Sequence, residues 1–188
     1  MSKSFLNNHG VRGLRNNNPG NLRRTNIAWQ GKIPFSKSQD ADFEQFENVY
    51  WGLRAMLKDL INDISKGKNT VKLLISEYAP KSDNNDTTAY INAVAKTLDV
   101  SPTQRLTEIN SKFLLKLARA ILQVELGKSH KQIMDNDIIK SITMLGDVST
   151  DNLKVIIDKF ALAKQYIIPA IIAIALFFCT YSTLTIII

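Results

Sequence analysis

Apolar residues recur at intervals of three and four through most of residues 49–145. This is the period of an α-helix that buries one face, and the breaks in the pattern fall at Gly, Pro and polar clusters. Helices are therefore predicted over residues 49–65, 71–78, 111–127 and 137–145, over residues 88–98 with Thr87 or Thr88 as the N-cap, and from a start at Ser101-Pro102. The pattern predicts a mainly helical domain.

The predicted helix over residues 111–127 ends with a carboxylate on its apolar side. Its polar side chains at positions 112, 116, 119 and 123 form one narrow stripe, because successive helical residues turn by about 100°. Glu125 lies about 200° from that stripe, above Ile121 and Leu122. Burial disfavours a charged carboxyl, so the pKa of Glu125 is predicted to rise, as a general acid near neutral pH requires. The alternative is an exposed side chain at a fraying helix end.

Residues 11–24, VRGLRNNNPGNLRR, contain too many turn-forming residues for a regular element. A structured loop is predicted, in which Pro19 and Gly20 set the turn. Each asparagine amide offers a donor and an acceptor, which suits sugar hydroxyl and N-acetyl groups, although asparagines also cap their own backbone. Residues 27–46 combine scattered aromatics with Gly and Pro, which predicts short strands or an irregular hairpin.

Residues 166–188 contain no charged side chain. At about 1.5 Å per residue this is enough helix to cross a bilayer core of about 30 Å. A C-terminal membrane anchor is predicted, and the basic residues before it place the N-terminal part on the cytoplasmic side of a host membrane. The expected organisation is a flexible N-terminus over 1–9, a domain over 10–146, a juxtamembrane linker or helix over 147–165 and the anchor over 166–188.

The chain carries a net charge of +7, and all of its charged residues precede the predicted anchor. This excess favours an anionic partner such as nucleic acid, anionic lipid or a cell-wall polymer, although dispersed basic residues are also typical of an ordinary solvated surface. Cys179 is the single cysteine, and His9 and His130 are the only histidines. The sequence therefore predicts neither a disulfide framework nor a zinc site, and no cofactor.

Four stretches of the chain resemble a family of phage proteins: RGLRNNNPGNLR with Trp29 and Gly31 after it, FEQFENVYWGLRA from Phe43, EYAPKSDNNDTTAYINAV from Glu77, and ARAILQVELG ending at Gly127. The family comprises virion-associated or lysis proteins that degrade peptidoglycan with the lysozyme-like fold of lytic transglycosylases. The similarity covers about residues 10–146. Family members often carry a His before the final Glu, where this chain has Val124. In transglycosylases the Glu helix usually precedes the Asn-rich loop, whereas here it follows.

The resemblance implies a lysozyme-like helical domain with a small irregular β lobe, plus the transmembrane helix. It implies that Glu125 protonates the bond between N-acetylmuramic acid and N-acetylglucosamine. A transglycosylase needs only this acid, whereas a hydrolase needs a second carboxylate, for which Glu44 and Glu47 are the candidates unless they form a solvated acidic turn. The residues expected to line the glycan cleft are Asn16, Asn17, Asn18, Asn21, Trp29, Tyr78, Asn85 and Tyr90, with Trp29 equally suited to the core.

Two further classes of function fit parts of the sequence. One is a catalytically inactive virion membrane protein that uses the same scaffold to bind glycan, capsid protein or nucleic acid. The other is a host tail-anchored protein that binds DNA, for which the sequence offers neither a recognition helix nor interleaved aromatics. The preferred prediction is a phage enzyme held in a host or virion internal membrane, with peptidoglycan strands, lipid and capsid proteins as partners.

Overall fold

The computed structural model describes residues 2–83, 85–146 and the backbone of 154–156, and six α-helices account for nearly half of these residues. The described residues belong to a compact unit over residues 1–157. The helices are α1 (Arg12–Arg15), α2 (Val49–Ser65), α3 (Val71–Tyr78), α4 (Thr87–Leu98), α5 (Ser111–Leu126) and α6 (Asp135–Thr143). Short 3₁₀ turns lie at Lys81–Asp83 and Gly127–Gln132. The predicted mainly helical fold class is confirmed.

The helix boundaries follow the apolar pattern, with local corrections at the caps. The predicted bounds of α2 and α3 are confirmed. The N-cap of α4 is Asp86, whose carboxylate accepts the backbone N–H of Ala89 at 3.0 Å, and not Thr87 or Thr88. A carboxylate at this position is a stronger cap than a threonine hydroxyl. It accepts a hydrogen bond from a backbone N–H that has no partner within the helix, and its negative charge lies near the positive end of the helix dipole.

Three other segments differ from the prediction. The short helix α1 lies within the predicted loop of residues 11–24. Residues 101–107 form turns instead of a helix, with the N–H of Gln104 bonded to the carbonyl of Ser101 at 3.0 Å. The backbone of residues 154–156, within the predicted linker or helix, is a strand (β2, Lys154–Ile156) that pairs in parallel with β1 (Glu108–Asn110), so that Asn110 lies opposite Ile156.

The segment before α2 forms an irregular lobe and contains no named strand among its described residues. Isolated antiparallel bridges join Arg23 to Phe43 and Lys32 to Phe46, which makes the lobe a distorted hairpin. Phe46 is fully buried and packs with Leu22 and Ala55. The lobe is therefore attached to α2 by apolar packing as well as by the backbone bridges.

The helices pack around the apolar faces that the sequence pattern identifies. Contacts join α4 to α3 and α5, and α6 to α2 and α5. Fully buried leucine and isoleucine side chains from these faces fill the core, including Leu53, Leu57, Leu60, Leu114, Leu117, Ile121, Ile138 and Ile142. Residues at the N-terminus are attached to this body, since Lys3 binds the Asp137 carboxylate at 2.6 Å. Packing of α5 in this core fixes the position of its last turn, which carries Glu125.

In the described part of the chain, no helix combines the length and apolar character needed to span a membrane. The anchor predicted for residues 166–188 lies outside the described residues.

Candidate active site

A cleft of about 590 Å³ lies where the irregular lobe meets the helices. The lobe contributes Phe43 and residues between 20 and 29, and α2 contributes Asp59 and Asp63. The end of α3 contributes Glu77 and Tyr78, and α5 contributes Glu125. The α3–α4 connection contributes residues 79, 80, 83 and 85. Arg23 of the lobe pairs with Asp83 of the α3–α4 connection at 2.9 Å, and both line the cleft. The cleft is thus assembled from segments that are far apart in the sequence.

Glu125 is half-buried in this cleft and both of its carboxylate oxygens accept hydrogen bonds. The Asn21 amide donates to Oε2 at 2.8 Å, and the Tyr90 hydroxyl donates to Oε1 at 2.9 Å. These two donors come from the lobe and from α4, so three elements, α5 included, define the position of one carboxyl group. Its rotamer is therefore restrained from two directions, as a catalytic side chain requires.

Burial raises the pKa of the Glu125 carboxyl above its ordinary value. The hydrogen bonds from Asn21 and Tyr90 favour the charged form and act in the opposite direction, but the desolvation effect is larger. Burial, reinforced by the charge of Glu125, also raises the pKa of Tyr90, which keeps its hydroxyl protonated and able to donate. The rise in pKa expected from the helix pattern is found.

The tight turn at Gly20 and Asn21 aims the Asn21 amide at Glu125. Asn21 adopts a left-handed backbone conformation with φ of 49°, which asparagine tolerates better than most residues. A Cβ on Gly20 would lie 2.6 Å from the hydroxyl oxygen of Tyr78, so only glycine allows this close approach. The Tyr78 hydroxyl donates to the Gly20 carbonyl and holds the turn against α3.

Removing the Tyr90 hydroxyl tests its effect on the acid. We expect Tyr90→Phe to raise the pKa of Glu125, because the lost hydrogen bond favours the charged form. The alkaline limb of an activity–pH profile, or the titration of the ¹³C-labelled Glu125 carboxyl by NMR, should therefore move to higher pH. Tyr50→Phe is the matched control, since Tyr50 lies beside Lys140 and Asp137 and not in the cleft. An unchanged or lowered pKa in Tyr90→Phe would contradict this role.

Three of the predicted glycan-binding asparagines lie in the interior and do not line the cleft. Asn16, Asn17 and Asn18 are at most 1% exposed. Asn17 donates to the Phe46 carbonyl at 3.0 Å, and Asn18 donates to the carbonyls of Leu22 and Glu44 at 2.9 and 3.0 Å. Their amides satisfy the backbone of an irregular lobe that has few strand bonds of its own. The expected position of these three residues on the cleft wall is corrected accordingly.

The remaining predicted binding residues lie at or beside the cleft. Asn21, Trp29, Tyr78 and Asn85 line it. Trp29 also packs against the buried cluster around Phe46, which combines the two positions considered for it. The Asn85 amide donates to the Pro80 carbonyl at 3.2 Å, whereas Tyr90 is buried and reaches the site through its bond to Glu125.

Neither carboxylate predicted as a second acid lines the cleft. Glu44 is fully buried beneath the lobe, where it binds Lys32 at 2.8 Å and accepts the N–H of Thr25 at 2.9 Å. Glu47 is exposed, and its backbone N–H bonds to the Gly31 carbonyl. The alternative of a solvated acidic turn describes Glu47 but not Glu44. Both positions are corrected, because the other carboxylates that line the cleft with Glu125 come from α2, α3 and the α3–α4 connection and not from residues 44–47.

The buried pair of Glu44 and Lys32 should matter for stability. We expect Glu44→Gln to lower the free energy of unfolding by about 1–3 kcal/mol, because Lys32 loses its counter-ion in a site with little water. The loss should stay in this range because the Lys32 ammonium also donates to the Thr25 carbonyl at 2.6 Å. Urea titration followed by circular dichroism measures the difference, and Glu108→Gln on the surface is the control. Equal stability of the two variants would contradict the structural role.

Three acidic residues of the cleft are absent from the sequence prediction. Asp59 and Asp63 of α2 line it together with Glu77 at the end of α3. The spacing of Asp59 and Asp63 could have indicated this position, because two carboxylates at i and i+4 on a largely apolar helix lie on the same face. Together with Asp83 and Glu125 they give an acidic lining to a cleft in a protein of net charge +7.

The comparisons with known proteins identify a phage relative. No family model matches the chain. The chain is 33% identical over 105 residues to Protein P5 of Pseudoalteromonas phage PM2. The match covers 54% of this chain and 64% of that protein, so the chain spans less than two thirds of the relative's length.

Proposed function

We propose that this protein is a membrane-anchored phage enzyme that cleaves the glycan strands of bacterial peptidoglycan. Glu125 acts as the general acid and protonates the oxygen of the bond between N-acetylmuramic acid and N-acetylglucosamine. The helical domain would then be a lysozyme-like scaffold, and residues 166–188 its membrane anchor. The similarity to a phage protein supports the phage setting of this proposal.

The observation that carries the proposal is the environment of Glu125. A half-buried carboxyl with a raised pKa and two oriented donors, placed in an open cleft, has the features of a general acid. The proton must be present when the sugar binds and must leave as the glycosidic bond breaks. Burial favours the first condition, and the Asn21 and Tyr90 donors stabilise the anion that the second produces.

The charge of the cleft supports a carbohydrate more than a nucleic acid. Carboxylates on α2, α3 and α5 line it, with Arg23 as a basic residue that is already paired to Asp83. A polyphosphate would be repelled by this lining, whereas neutral sugar rings with hydroxyl and acetamido groups would not. The positive net charge resides on other surfaces of the described chain.

The predicted anchor would place the enzyme at an internal virion membrane. If a host membrane is taken inside a capsid, its cytoplasmic face becomes the outer face of the vesicle and faces the shell. The enzyme would then be positioned to open the wall during genome delivery. Protease protection of the domain in intact virions, lost when the shell is removed, is the expected result, and digestion in untreated particles would contradict it.

The enzymatic proposal is tested on purified peptidoglycan. We expect the full chain in mild detergent to solubilise sacculi and release disaccharide muropeptides whose cut ends lie at N-acetylmuramic acid. Mass spectrometry identifies the ends, and chitin oligomers, which lack muramic acid, serve as the control substrate. Binding to sacculi without release of muropeptides would overturn the enzyme and support the alternative, an inactive virion protein that binds glycan.

A further inference from the structure

We propose that Asp59 is a second catalytic residue of the cleft, the base that activates a water molecule while Glu125 protonates the leaving oxygen. This inference rests on the proposed function and specifies its reaction. With two carboxylates the glycan strand is cut by hydrolysis, whereas a single acid would leave the muramoyl 6-hydroxyl to close an anhydro ring.

The position of Asp59 is the first argument. It projects from the middle of α2 into the same cleft that Glu125 enters from the end of α5. The phenol of Tyr78 is close enough to both carboxylates for each of them to raise its pKa, after the larger effect of burial. The Tyr78 hydroxyl is itself held in place by its hydrogen bond to the Gly20 carbonyl.

The two carboxyl groups share this neighbour and are not bonded to each other. The carboxylate of Glu125 accepts hydrogen bonds from Asn21 and Tyr90, and these partners come from the lobe and from α4. An inverting mechanism needs two separate carboxyl groups, because a water molecule has to fit between the base and the sugar.

Asp59 also has the free oxygens that a base requires. Among the described residues, none donates a hydrogen bond to its carboxylate or forms an ion pair with it. Asp40 is the contrast, because it is held by Arg12 at 2.7 Å and by the Asn16 amide at 2.7 Å. A partly buried carboxylate without such partners costs free energy, and groups of this kind concentrate at functional sites.

The electrostatic surroundings place the titration of Asp59 near neutral pH. Burial raises its pKa to about 6, with Asp63 and Glu77 adding to the rise and Lys66 opposing it. Above that pH the carboxylate is ionised and can accept a proton from water, and it is a stronger base than an ordinary aspartate.

Asp63 lies one turn further along the same face of α2 and also lines the cleft. The charges of Asp59 and Glu125 both raise the pKa of the Tyr78 phenol, and Asp63 is not among the causes of that shift. Of the two aspartates on α2, Asp59 is therefore the better candidate for the base. Asp99 provides the control for the same substitution, because it is exposed, lies outside the cleft and has a left-handed backbone conformation that asparagine tolerates.

The reaction balances with water as the second reactant. The Glu125 carboxyl gives its proton to the glycosidic oxygen, and the bond from that oxygen to the sugar carbon breaks with its electron pair moving to oxygen. A water oxygen bonds to the same carbon and its proton passes to Asp59. Solvent then returns a proton to Glu125 and removes one from Asp59, leaving two sugars with a hydroxyl at each cut end.

The first test compares Asp59→Asn and Asp99→Asn in the full chain on purified peptidoglycan. We expect Asp59→Asn to lower the cleavage rate by about 100-fold or more, which is the usual range for losing a general base, and Asp99→Asn, outside the cleft, to cleave at the rate of the parent. The products of the parent should carry reducing N-acetylmuramic acid ends. Equal rates in the two variants would overturn the role of Asp59.

A chemical rescue separates catalysis from structure. Azide is a nucleophile that needs no base, so Asp59→Ala in sodium azide should recover activity and release a glycosyl azide that mass spectrometry detects. At pH 7 both Asp59 variants should melt no lower than the parent, because the charge they remove lies in a buried, acidic site. Low activity with a lowered melting temperature and no glycosyl azide would make Asp59 structural and overturn the proposal.

The outcomes also distinguish this inference from the function on which it rests. Anhydro ends from the parent protein, with full activity in Asp59→Asn, would overturn hydrolysis by Asp59 and leave Glu125 as the single acid of a transglycosylase. No release of muropeptides by the parent would overturn the proposed function itself, and the inference with it.

Discussion

Replacing Glu125 by Gln should lower the release of muropeptides by about 10²–10⁴-fold, the usual contribution of a positioned proton donor. The amide has nearly the same shape as the carboxyl but holds no acidic proton, so the chemical step loses its acid while the side chain still fills its place. The hydrogen bonds from Asn21 and Tyr90 are the contacts that change. Turnover of purified peptidoglycan, measured by chromatography of the soluble products, gives the ratio of the rates.

Glu47→Gln is the control for this prediction. It makes the same chemical change at an exposed residue outside the cleft, and we expect less than a twofold effect on the rate. Circular dichroism should show that both variants keep the helical signal of the parent. Cleavage by Glu125→Gln at the rate of Glu47→Gln would remove Glu125 from the mechanism.

Replacing Gly52 by Ala should destabilise the protein by about 3 kcal/mol, although Ala normally favours a helix over Gly. A Cβ at this position in α2 would lie 1.9 Å from the backbone carbonyl oxygen of Asn17. The clash involves backbone atoms that cannot rotate away, and Asn17 is itself fixed to the Phe46 carbonyl. Thermal unfolding should show a melting temperature lower by roughly 6–12 °C.

A neighbouring substitution tests whether the effect comes from this contact. Lys58→Ala changes an exposed residue of the same helix, and we expect the free energy of unfolding to change by no more than about 0.5 kcal/mol. Gly52→Ala should also reduce cleavage, because moving the Asn17 loop moves Gly20 and Asn21. A variant as stable as Lys58→Ala would show that the loop can move away from α2 without cost.

The helices could be predicted because their signals are local. The spacing of apolar residues in α2 and α3 specifies which face is buried, and a Lys-Gly or Ala-Pro pair specifies where the helix ends. The same reasoning placed Glu125 on the buried side of α5 and predicted the direction of its pKa shift. The short strand pair was missed because its parallel partner lies more than forty residues further along the chain.

The roles of the asparagines in residues 16–21 could not be predicted from local sequence patterns. The sequence does not distinguish the four asparagines of this loop, because each has the same side chain and is equally able to bind a sugar. They are Asn16, Asn17, Asn18 and Asn21. The fold buries the first three as supports for an irregular lobe and brings the amide of Asn21 to Glu125. An amide serves either role, so the packing around it decides which one it takes.

Which acidic residues line the cleft with Glu125 likewise depends on contacts between residues that are far apart in the sequence. The sequence by itself determined a mainly helical chain, a half-buried Glu125 and the asparagine-rich turn. The hydrogen bond between Asn21 and Glu125 joins residues 104 positions apart, and the cleft that contains Glu125 is lined by Asp59 of α2 and not by Glu44 or Glu47. Helical periodicity in the sequence predicts which face of a helix is buried, but it does not predict which other element packs near that helix. A cleft forms only between elements that come together in the fold, so its lining cannot be predicted from the periodicity of any one helix.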